Sequence, residues 1–143
     1  MEGVGVRLHR RTTPFMILDA VIIAVLLTTH ITIFGLLLST IASILSASAL
    51  FYVLFSAYRF RKFTHGSLES AMRSFYILVT LYVVIGFIDL LAAGFIGDGW
   101  LIIQAVLVLL LARSCLQRRR ALNDPRFRSW WTITTGEDVL GIE

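Results

Sequence analysis

Two carboxylates stand inside stretches otherwise suited to lipid, Asp19 in FMILDAVIIAV and Asp89 in IGFIDLLAAGF. Placing a charge near the centre of a bilayer costs on the order of 3 kcal/mol even on lenient insertion scales. Each aspartate therefore marks either a proton, ion or ligand site or an internal hydrogen-bonding partner. Depth sorts the polar residues around them, at roughly 1.5 Å per helical residue. Asp89 lies level with Thr28, Thr29 and His30 of the first apolar segment, Ser39 and Thr40 of the second and Gln104 of the fourth. Together these make a candidate outer polar layer to which every segment contributes. Near the opposite end Asp19 and Arg113 share a level, which makes them a candidate ion pair.

Catalytic constellations find little footing. An acid pair needs its carboxyl groups within a few ångströms so that one holds a proton, whereas Asp19 and Asp89 differ by about 15 Å in depth. His9, His30 and His65 are divided between the two ends, so no metal ligand set is predicted. The single cysteine, Cys115, allows neither an intrachain disulfide nor a CxxC redox or zinc motif. The sequence contains no nucleophile motif, glycine-rich phosphate loop or HExxH helix. The expectation is a protein that is not an enzyme and carries no metal or cofactor.

The elements that must position these residues follow from hydropathy and charge. Of 143 residues, 57% are hydrophobic and only 15% charged, and the mean hydropathy is +0.83. A soluble domain carries about 25% charged residues. Residues 15–58 and 74–112 form runs of 44 and 39 residues without Lys or Arg. A spanning helix takes roughly 20 residues, so each run fits two crossings and is too long for one. The predicted fold is all-α: a polytopic integral membrane protein whose four-transmembrane-helix bundle is built from two hairpins.

Local signals set the boundaries of the bundle, residues 14–123, with helices at about 14–33, 36–58, 67–94 and 99–123. Thr13 and Pro14 read as an N-cap and a first helical position, Gly66 and Ser67 as a stop and a start, and Asp98 as the cap of the fourth helix. Residues 1–13 are then a basic N-terminal segment. Residues 124–143 are a tail that Pro125 turns out of the bundle, with Trp130 and Trp131 at the membrane surface. The apolar run after the basic start is too long for a cleaved signal, so a retained span is expected. All 13 Lys and Arg fall at one end of the two hairpins. By the positive-inside rule both termini are cytoplasmic and the chain lies in the cell membrane.

Small residues mark the expected helix-packing face: Ser39, Ser43 and Ala47 on the second helix, Gly86 and Ala93 on the third. In lipid such spacing lets helix backbones approach closely, in a bundle interior or, alternatively, in a dimer. The clusters RFRK and QRRR directly follow spanning segments. Arg59, Arg61, Lys62, Arg118, Arg119 and Arg120 are thus expected to meet anionic lipid headgroups and not nucleic acid. Two functions fit. One is a non-catalytic accessory, scaffold or assembly subunit of a homo-oligomer or larger membrane complex. The other is a small proton- or cation-coupled transporter or channel using Asp89, His30 and Gln104. An antiparallel dimer is disfavoured, because it needs a weak charge bias and this chain has all its cations at one end.

Overall fold

A computed structural model describes residues 2–34 and 36–137, without the side chains of residues 2, 4, 29–39 and 42. The described residues form five helices: α1 Glu2–Phe34, α2 Leu36–Arg61, α3 Ser67–Ile96, α4 Gly99–Leu122 and α5 Pro125–Thr135. The first four are long and apolar enough to cross a membrane. At 30 residues α3 reaches roughly 45 Å, longer than a hydrocarbon core about 30 Å thick.

Helix α3 is central and touches α1, α2 and α4. Its buried positions Ala71, Phe75, Leu78, Tyr82, Ile85 and Asp89 recur at alternating intervals of four and three residues. Helix α4 answers with Ala105, Val108, Ala112 and Cys115. This spacing keeps one seam facing its neighbour, as in shallow knobs-into-holes packing. Gly86 lies on the seam: a Cβ added there would come within 3.1 Å of the Leu109 side chain and 3.7 Å of the Ala105 carbonyl oxygen. Its missing side chain is what brings α3 and α4 close.

Several ends differ from the sequence expectation. Helix α1 does not begin at Pro14 but passes through it from Glu2. A proline inside a helix removes a hydrogen bond at a cost of about 3 kcal/mol, which contacts outside the helix must offset. His9 Nε2–H donates to the Phe60 carbonyl at 2.8 Å, and the Thr13 hydroxyl reaches the Ala57 carbonyl at 3.5 Å instead of capping α1. Gly5 admits the Trp130 ring, since a Cβ there would lie 2.5 Å from ring atoms. Helix α3 continues through Gly94 to a left-handed Gly97, and α4 starts at the expected cap, with the Asp98 carboxylate accepting from Trp100 N–H at 3.0 Å. Gly66, at φ +77°, immediately precedes α3, whose first residue is a buried Ser67. Helix α1 runs to Phe34 and α2 begins at Leu36, and residue 35 between them lies outside the described residues.

As far as Glu137, the tail does not leave the bundle. Asp124 caps α5 by accepting the Arg126 N–H at 2.9 Å, with Pro125 in the first turn. Phe127, Trp130 and Trp131 then share one face at helical spacing. Trp131 is fully buried and stacks on Phe60 with centroids 5.1 Å apart and planes 1° from parallel. A tryptophan that finds such a partner gains more by packing than by resting at a headgroup boundary.

Candidate functional site

Three helices meet at the Asp19 carboxylate, which is 3% exposed. Tyr82 of α3 donates its hydroxyl to Oδ1 at 3.0 Å. From α4, Cys115 donates its thiol to Oδ2 at 3.3 Å and Arg118 donates Nη1–H at 3.1 Å. The guanidinium also lies 3.8 Å from the centroid of the Phe15 ring, one turn before Asp19 on α1. Both oxygens thus have donors, and the buried charge has a counter-ion partly covered by an aromatic face. Chemically this is a satisfied junction holding α1, α3 and α4 in register. With its thiol inside the junction, Cys115 is buried and closed to modifying reagents.

Arg113, the expected partner of Asp19, is exposed and takes no part. At 100° per residue it lies on the far side of α4 from Cys115, whereas Arg118 is one turn further along the Cys115 face. Matching depth alone had favoured the wrong arginine.

The outer polar layer is described only in part. Asp89 is buried at 1% exposure on the Gly86 side of α3, where Ala93 is buried too. The register set by Gly86 against Ala105 and Leu109 brings Asp89 level with residues 101–105 of α4, which include the half-buried Gln104. Thr28 is exposed, its hydroxyl donating to the Ala24 carbonyl at 2.8 Å, and Thr40 is exposed as well. The side chains of Thr29, His30 and Ser39 lie outside the described residues.

The small-residue face divides. On α3 it turns inward, as expected. On α2, Ser43 and Ala47 are exposed, and it is Ser46 and Ala49 that are half-buried. None of the described side chains between residues 40 and 48 is buried, and among the described side chains of α2 the first buried one is Val53. Ser43 and Ala47 therefore do not pack inside this chain, because another side of α2 is turned to the bundle.

An aromatic cap closes the basic end. His9 stacks on Phe63 at 4.1 Å, and Phe60, Phe127, Trp130 and Trp131 surround the pair. Phe63 adopts φ +56°, an uncommon conformation for a bulky residue that its ring contacts sustain. Glu137 locks the cap: its carboxylate accepts the Gly66 N–H at 2.9 Å and the Trp131 Nε1–H at 3.2 Å. The signal for α5 was present in the 127, 130, 131 spacing after Asp124 and Pro125.

Among the described residues no group of three or more His, Cys, Asp or Glu side chains is placed to hold a metal. No protein-family model, curated protein or solved structure matches the chain.

Proposed function

We propose that this chain is a non-catalytic subunit that works by association within a membrane, as an accessory, scaffold or assembly component of a homo-oligomer or larger complex. The observation that carries this is the outer half of α2, where Ser43 and Ala47 stay exposed beside Ile44, Leu45 and Ser48. A small-residue stripe left open by its own bundle fits a second transmembrane helix closely. The Asp19 junction supports the same conclusion, since its carboxylate is engaged by internal donors from two other helices. By the positive-inside rule the basic end, with both termini, lies in the cytoplasm and the chain sits in the cell membrane. There Arg59, Arg61, Lys62, Arg118, Arg119 and Arg120 approach anionic headgroups.

Extraction in mild detergent followed by mass determination tests this. A defined oligomer or heteromeric complex without ion flux in liposomes is expected. A monomer that conducts would overturn it. One observation favours a second function: a carboxylate as deeply buried as Asp89 suits a proton- or cation-coupled transporter or channel, with Gln104 and His30 as the other members of its layer. Flux that depends on Asp89 would establish that alternative.

A further inference from the structure

We propose that the groove between the first turns of α1 and the α4–α5 elbow is a discrete site for the phosphate headgroup of an anionic phospholipid. The groove encloses about 430 Å³, and Arg7, Arg11 and Arg126 line it. Arg7 and Arg11 are four residues apart on one helix, a spacing at which like charges repel. None of the three arginines forms an ion pair among the described residues. The carboxylate in the lining, Asp124, is committed to capping α5 through the Arg126 N–H. A phosphodiester held by these guanidinium forks relieves the repulsion and gains charge-assisted hydrogen bonds.

The apolar part of the lining selects lipid over a soluble anion. The half-buried Leu8 offers an apolar surface to the glycerol and first methylenes, beside the edge of a Phe127 ring that is 4% exposed, and a free phosphate has nothing to place there. The groove also lies where α4 ends and the span gives way to the basic end, the level of a headgroup. Other cations of this end are arranged differently: Arg59 and Lys62 lie over the Phe55 and Tyr58 rings of their own helix, each 5.9 Å from a centroid.

The full chain in mild detergent, titrated with phosphatidylglycerol or phosphatidylcholine and read by native mass spectrometry, tests the site. One retained phosphatidylglycerol per chain is expected, preferred by about tenfold or more. R7Q/R11Q/R126Q should abolish the preference, and R10Q/R73Q/R113Q, which removes equal charge from exposed residues outside the groove lining, should keep it. Equal loss in both variants, or no preference in the unaltered chain, overturns the proposal. So does displacement of the lipid by excess inorganic phosphate, which identifies a soluble-anion site. If the triple variant does not fold, Arg126→Gln alone should weaken phosphatidylglycerol about fivefold, and undiminished binding there also overturns it.

Discussion

Arg118 reaches from α4 to the Asp19 carboxylate of α1 at 3.1 Å, and the two charges form an ion pair that joins separate helices. Removing one member of a buried pair strands the other. Arg118→Met should lower stability to unfolding in detergent by about 3 kcal/mol, and Asp19→Asn combined with Arg118→Met should restore most of it. Arg113→Met should change little. A double variant as unstable as the sum of its singles would show that the pair is not the cause.

Orientation is readable with thiols because the native cysteine is buried. An impermeant maleimide should leave the unaltered chain unlabelled. Ile96→Cys should react on intact cells and His65→Cys only after permeabilisation. The reverse pattern would put the basic end outside.

Trp131 and Trp100 separate packing from surface preference. Trp131 is fully buried in the aromatic cap and Trp100 is 67% exposed. Trp131→Ala should cost about 3–5 kcal/mol, and Trp100→Ala should stay within about 0.5 kcal/mol. Equal, small effects would mean that α5 contributes nothing to the bundle.

Asp89 occupies a seam position where most residues are apolar. Asp89→Asn should assemble as the unaltered chain does, whereas Asp89→Leu should cost about 1 kcal/mol through lost hydrogen bonds. If the unaltered chain carries ions and Asp89→Asn folds but does not, the transporter function is correct.

The four helices long and apolar enough to cross a membrane were legible because bilayer thickness sets a length that each of the two long runs without Lys or Arg fits twice. Asp98 as a cap was legible because it depends on neighbours in sequence. What was not legible depends on distant partners. The passage of α1 through Pro14 rests on His9 meeting Phe60 and on Gly5 admitting Trp130. Choosing Arg118 over Arg113 required the angular position of each on α4 as well as its depth. Helix α5 was hidden by reading Pro125 only as a stop, although aspartate followed by proline also starts helices. The outward turn of Ser43 and Ala47 had no local signal, since periodicity identifies a stripe but not which neighbour it meets.

The association surface on α2 is most directly tested by a photoreactive benzoyl-phenylalanine at Ala47, irradiated in intact membranes beside the same group at Val106, an exposed position of α4. The expected result is a covalent adduct of one defined mass at Ala47, twice that of the chain for a homo-oligomer, and none at Val106. No adduct at Ala47, or equal adducts at both positions, would contradict association through α2.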